Sequence, residues 1–176
     1  NRIERVDRSG ILVWTPTGEH GTARNVVVRG NRMHNLGGDA ILVLGSDRAL
    51  IERNIADRTC LRSGDPDVPL AEGDLHYNRS SAAIWLHTCE RSVMQFNVVY
   101  DSGKMARNND GMAYDFDYYC YDCVLQYNYA RHNRGGFVLF MNRTRNCIAR
   151  YNISENDQSH VVYSCCLPVE GNQVYN

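Results

Sequence analysis

Asparagine recurs along this chain at Asn31, Asn54, Asn97, Asn128, Asn152 and Asn176, and that spacing constrains the fold more than any other feature. The gaps are 23, 43, 31, 24 and 24 residues, which read as one repeat or one repeat enlarged by an insertion. Tyr127, Tyr151 and Tyr175 precede the last three. A repeat this short, built from brief apolar runs, cannot enclose a core alone and is stabilised only by stacking on its neighbours. The pattern therefore predicts an all-β solenoid of about six coils of roughly 23–24 residues, with two loop insertions.

Counting back from each Asn exposes the first strand. Val26, Ala49, Ser92, Cys123 and Cys147 lie five residues before it, and apolar Val28, Ile51, Met94, Leu125 and Ala149 lie three before. Polar Arg29, Glu52, Gln95, Gln126 and Arg150 lie two before, so the two faces alternate as in a half-buried strand. Val27, Leu50, Val93, Val124 and Ile148 share the parity of the polar set, so either that outer face is covered or the strand bends. The Asn itself suits a corner, because it tolerates the left-handed backbone region and its amide can bond to the next coil.

A second strand follows each corner. Ile41, Ile84, Tyr114, Phe137 and Val161 align as one apolar column, and Val43, Leu86, Phe116, Leu139 and Tyr163 as another, so both are expected to face inward. The alternate, outward positions hold Trp85, His87, Asp115 and Asp117.

With 176 residues, 43% hydrophobic and 22% charged, the chain is long enough for a sizeable core. A net charge of −1 offers nothing to attract nucleic acid or an anionic membrane, and no apolar run approaches the roughly 20 residues of a membrane span. The sequence is read as a single domain over 1–176, cut from a longer solenoid whose open end coils could pair end to end with further copies. Seven cysteines leave the redox setting open: Cys123 and Cys147 share one position in adjacent coils, where either a disulfide or stacked thiols would fit. Cys120 and Cys123 have a ligand-like spacing without a second pair, so no metal site is assigned.

Two insertions locate the candidate site. One runs from about 58 to 79 and holds Asp65, Asp67, Glu72, Asp74 and His76; the other runs from about 101 to 110. Solenoids take insertions as loops on one face, often the binding face. Both lead into the strands bearing Trp85, His87, Asp115 and Asp117. Two residues apart on one strand face, Asp115 and Asp117 have Cα atoms about 6.5–7 Å apart. Carboxyls roughly 6.5–9.5 Å apart can hold the water an inverting glycosidase uses, and crowding two acids raises the pKa of one. Trp85 would offer an apolar face to a sugar ring.

The Asn-cornered coils, with Asn109-Asp110-Gly111-Met112-Ala113-Tyr114-Asp115-Phe116-Asp117, Gln126-Tyr127-Asn128-Tyr129 and His132-Asn133-Arg134-Gly135-Gly136-Phe137, resemble secreted bacterial right-handed parallel β-helix proteins. These share their fold with pectate lyases and polygalacturonases. The resemblance, covering the chain from about Asn25 onward, implies a single-stranded parallel β-helix with three short strands per coil, located outside the cell and binding polysaccharide along an outer groove. Asn109-Asp110-Gly111 is similar to the Asn-Thr-Asp motif of polygalacturonases without its middle residue, and the other polygalacturonase motifs are absent.

The expected activity is therefore carbohydrate-directed, on an extracellular polysaccharide or oligosaccharide, with glycoside hydrolysis ahead of lyase chemistry. Asp115, Asp117, Asp110 and His87 form the candidate catalytic set; Trp85, His132 and Arg134 form the candidate substrate-binding set. A hydrolase of this kind needs no cofactor; a lyase would use calcium and an Arg or Lys base from Lys104, Arg131 or Arg134. The competing reading is a non-catalytic structural, adhesive or fibre-forming solenoid, because a solenoid hosts many functions.

Overall fold

The computed structural model describes residues 1–15, 22–61, 81–104 and 110–176. Among them, short strands stack into three six-stranded parallel sheets and one two-stranded sheet, Ala23–Arg24 with Ser46–Asp47. Sheet 1 contains the strands that precede each corner Asn: Val27–Arg29, Leu50–Glu52, Val93–Gln95, Val124–Gln126, Ile148–Arg150 and Gln173–Tyr175. Sheet 2 follows the corner immediately, with Arg2–Glu4, Arg32–His34, Ile55–Asp57, Val98–Tyr100, Tyr129–Arg131 and Ile153–Glu155. Sheet 3 contains Ile11–Val13, Ile41–Leu44, Ile84–His87, Tyr114–Phe116, Gly136–Phe140 and His160–Ser164. The chain is thus an all-β, right-handed parallel β-helix with three strands per coil.

Periodicity makes the core. Val28, Ile51, Met94, Leu125 and Ala149 face inward from sheet 1, Met33, Ala56, Val99 and Ala130 from sheet 2, and Ile41, Val43, Ile84, Leu86, Tyr114 and Phe116 from sheet 3. Removing each large apolar side chain from water contributes about 1.5–3 kcal/mol. The Tyr114 hydroxyl sits inside this core yet is satisfied, donating toward the backbone oxygens of Asn97 at 3.1 Å and Tyr129 at 3.2 Å.

The corners differ from the sequence expectation in an instructive way. The left-handed residue is the one before each Asn: Gly30, Arg53, Phe96, Tyr127 and Tyr151, with φ of 67, 54, 54, 55 and 52°. The Asn contributes its side chain instead. Nδ2 of Asn31, Asn54, Asn97 and Asn128 donates to Oδ1 of the corner Asn one coil on, at 3.0, 3.0, 3.1 and 3.0 Å. Those of Asn54, Asn97 and Asn128 also donate back to a strand oxygen of the preceding coil, such as Ile51 O from Asn97 at 2.9 Å. These bonds offset a non-glycine left-handed conformation that costs about 1–2 kcal/mol.

The amide run begins at Asn1, which donates to Asn31, and Asn176 falls outside its register. Arg150 pairs with Tyr175, so Asn176 follows on beside Tyr151, one position short of Asn152. The other register difference lies in sheet 3. Tyr114 pairs with Val138, and Phe116 with Phe140, so Val138 and Val162 occupy the column expected for Phe137 and Val161. Gly136 permits this close entry: its φ is 114°, and a Cβ there would meet His160 O at 2.1 Å. The Val27, Leu50, Val93, Val124 and Ile148 column lies on the outer face of sheet 1, exposed at Val27 and part-covered along the stack.

The buried thiols are structural. Cys89, Cys120, Cys123 and Cys147 are free, and each Sγ donates to a backbone oxygen of a neighbouring coil at 3.3–3.5 Å. Burial pushes Cys89 up to about 11 and Cys120 up to about 12, which keeps both protonated and inert. Cys165 and Cys166 form a disulfide with each other.

Candidate active site

The site lies on the outer face of sheet 3. That face is not solvated: Leu42, Leu44, Ala82, Trp85, Met112 and Leu139 pack there as a second apolar cluster, with Met141, Tyr163 and Cys165 at its margin. Strand register sets Trp85 beside Asp115, and Asp115 beside Leu139. An acid is thereby wedged between two large apolar side chains.

Desolvation controls the protonation of this face. Asp115 is 6% exposed, and its Oδ1 has no hydrogen-bond partner. Its carboxyl is held well above the usual range, first by burial and then by the charges of Asp117, Asp110 and Asp39, which favours its protonated form. Asp117 is 7% exposed and is pushed up to about 7, chiefly by burial with a further contribution from Asp110. Its Oδ1 accepts the Tyr118 backbone N–H at 2.7 Å, which opposes that rise. Asp110 is part-buried at the entry to the same strand.

His87 lies at the other end of the patch. Its ring is 6.4 Å from Trp85 and 5.8 Å from Tyr118, and its Nδ1 is 2.7 Å from Thr88 Oγ1. Burial lowers its pKa, so the imidazole is neutral. One carboxyl biased toward its protonated form, one poised near neutrality and one neutral imidazole form a set suited to proton transfer. Among the described residues, no group of three or more His, Cys, Asp or Glu side chains is placed to hold a metal ion.

From residue 1 to residue 176 the chain matches the family described as right handed beta helix region. It belongs to that family. Over 154 residues it is 32% identical to the lacto-N-biosidase of Bifidobacterium longum subsp. longum, a match spanning 86% of this chain and 9% of that protein. Two crystal structures of the GH136 lacto-N-biosidase from Eubacterium ramulus share its fold. The selenomethionine form has a TM-score of 0.58 at 22% identity and the native form 0.60 at 20%, each over 85% of this chain and 28% of the other. The chain therefore corresponds to under a third of each relative.

Within this β-helix, the candidate residues fall into two groups. Trp85, His87, Asp115, Asp117 and Asp110 share the sheet 3 face. Trp85 is 7% exposed, with its ring in the apolar cluster. His132 and Arg134 occupy the corner between sheets 2 and 3. His132 is one of a column of left-handed residues there with Arg5, Asn35, Arg58, Asp101 and Asn156, and its Nδ1 is 3.7 Å from Asp101. Arg134 is exposed and its backbone N–H donates to Ser102 O at 3.1 Å. Asp65, Asp67, Glu72, Asp74, His76 and Asn109 lie outside the described residues.

The sequence reading missed Asp39. It is 6% exposed, accepts hydrogen bonds from Ser9 Oγ at 2.9 Å and Ser81 Oγ at 3.1 Å, and is raised by burial against those bonds. The Trp85 indole N–H lies near enough to favour its charged form but closes no hydrogen bond of ordinary geometry. The signal was present: Asp39 precedes its sheet 3 strand as Ser9 does one coil earlier, so stacking alone brings them together.

Proposed function

We propose that this β-helix belongs to a glycoside hydrolase that acts outside the cell on an oligosaccharide, and that it contributes the catalytic carboxyls. The observation that supports this reading best is the pair on sheet 3: Asp115, buried with an unpartnered Oδ1 and a raised pKa, and Asp117, poised at about 7 two residues on. Glycoside hydrolysis needs one carboxyl that retains its proton and one that is ionised, held apart by environment. Asp115 supplies the proton and Asp117 the carboxylate, while the charge of Asp110 keeps the affinity of both for protons high. The 32% identity to a lacto-N-biosidase points to substrates that end in lacto-N-biose.

The test is turnover of p-nitrophenyl lacto-N-bioside by the full-length protein. Asp117→Asn and Asp115→Asn are each expected to lower kcat by about 10²–10⁴-fold. Because Asp117 must be ionised, kcat/KM should rise with pH through about 7. Asp110→Asn should move that limb to lower pH by removing a neighbouring charge. Undiminished turnover in Asp117→Asn would sink the assignment, and a limb that falls through about 7 would exchange the two roles.

A further inference from the structure

Trp85 packs its ring into the apolar cluster, so the more exposed aromatic surface on this face lies elsewhere. The chain supplies it through one extra residue. Leu86 pairs with Phe116 and Glu90 bridges Tyr121, so three residues in one coil stand opposite four in the next, Asp117 to Cys120. The added residue lies past the end of the Tyr114–Phe116 strand, in a turn at Tyr118 and Tyr119, before the pairing resumes at Tyr121.

Here the addition turns Tyr118 out beside the acid pair. Tyr118 is part-exposed, donates its backbone N–H to Asp117 Oδ1 at 2.7 Å, and sets its ring 5.8 Å from His87 at an interplanar angle of 43°. The neighbouring Tyr119 is already engaged: the Arg143 guanidinium lies 5.3 Å over its ring and donates to its hydroxyl at 2.9 Å. Tyr118 and part-exposed His87 thus form two non-parallel aromatic faces next to Asp117.

Resting on the hydrolase reading of the carboxyl pair, we propose that Tyr118 and His87 form the subsite that grips the sugar ring beside the scissile bond, and that this ring is a neutral pyranose. An aromatic face packs against the apolar C–H surface of a pyranose, and a site crowded with carboxyls would repel a uronate.

Two measurements on the full-length protein separate this proposal from the reading beneath it. Titration calorimetry with lacto-N-biose reads the subsite without catalysis: Tyr118→Ala is expected to weaken binding about five- to tenfold, and Tyr118→Phe to leave it within twofold. Kinetics with the p-nitrophenyl glycoside should show the same loss in KM, with kcat changed less. Unchanged binding in Tyr118→Ala overturns the subsite even if Asp117→Asn is inactive. A fall in kcat with unchanged KM also overturns it, because Tyr118 would then act only through the carboxyl it hydrogen-bonds. Weakened binding beside an active Asp117→Asn supports the subsite and removes the catalytic assignment alone.

Discussion

The outer faces of sheets 1 and 3 are built by the same alternation and have opposite electrostatics. On sheet 1 the polar column is paired from coil to coil. Arg29 and Gln95 donate to Glu52 at 2.6 and 2.7 Å, Gln126 donates to Gln95 at 2.9 Å, and Arg150 donates to Gln126 at 2.8 and 3.0 Å. Gln95 first and Arg29 second hold the Glu52 carboxyl below its ordinary range. On sheet 3 the column around Asp115 offers apolar neighbours and like charges, and its carboxyls are held high. A column that satisfies itself is a structural device. One that leaves buried atoms unpaired has capacity for a ligand, at a cost in stability.

Both faces depend on one register, so the largest expected effect comes from breaking it. Asn97→Ala removes the acceptor for the Asn54 backbone and amide N–H groups and the donor to Ile51 O and Asn128 Oδ1. Several buried polar groups lose partners together, and the expected loss is about 4 kcal/mol. Urea unfolding reads this directly. A loss below about 1 kcal/mol would mean that strand pairing alone sets the register.

The next effect sharpens the contrast by its sign. Asp117 has a folded value of about 7 against about 3.9 unfolded. The folded chain therefore holds the extra proton between those values. The stabilisation is fully present below about pH 4 and is lost as pH rises to about 7. Asp117→Asn removes this dependence, so the variant should exceed the natural chain by about 4 kcal/mol at pH 8, with little difference near pH 4. Glu52→Gln should do the reverse, destabilising above the carboxylate range. Urea unfolding of both variants at pH 4 and pH 8 is the check, and a difference for Asp117→Asn that does not grow with pH would erase the contrast.

What the sequence revealed about these faces divides along physical lines. Parity is local, so the inward Ile51, Met94 and Leu125 and the outward Glu52, Gln95 and Gln126 were legible from spacing. The corner was legible as a place, but the division of labour within it was not. Spacing cannot show that Tyr127 bends the backbone while Asn128 makes the bonds, because both residues recur together. Spacing also failed at Tyr175, where the last coil gains one residue and the side chains beyond change column. Val138 and Val162, by contrast, follow Asn128 and Asn152 at the same distance as Ile41 follows Asn31, so that column was legible and was placed one residue early. Trp85 and Asp115 were legible as outward residues and illegible as buried ones. Their cover comes from an outer apolar cluster, which no alternation along a single strand encodes.

The smallest effect tests the structural half of the comparison. Gln126 sits mid-column on sheet 1, donating to Gln95 Oε1 at 2.9 Å while its own Oε1 accepts from Nε and Nη2 of Arg150. Gln126→Ala cuts the column in two, yet the side chain is part-exposed and water can replace each lost partner. The expected cost is about 1 kcal/mol in urea unfolding, with turnover of the p-nitrophenyl glycoside unchanged. A loss of several kcal/mol would mean that water cannot replace the lost partners, and that the contrast in carboxyl behaviour rests wholly on coil-to-coil pairing, Glu52 being as little exposed as Asp117. A loss of turnover would mean that the two faces are coupled through the shared core, and that the polar column of sheet 1 helps hold the acids of sheet 3 in register.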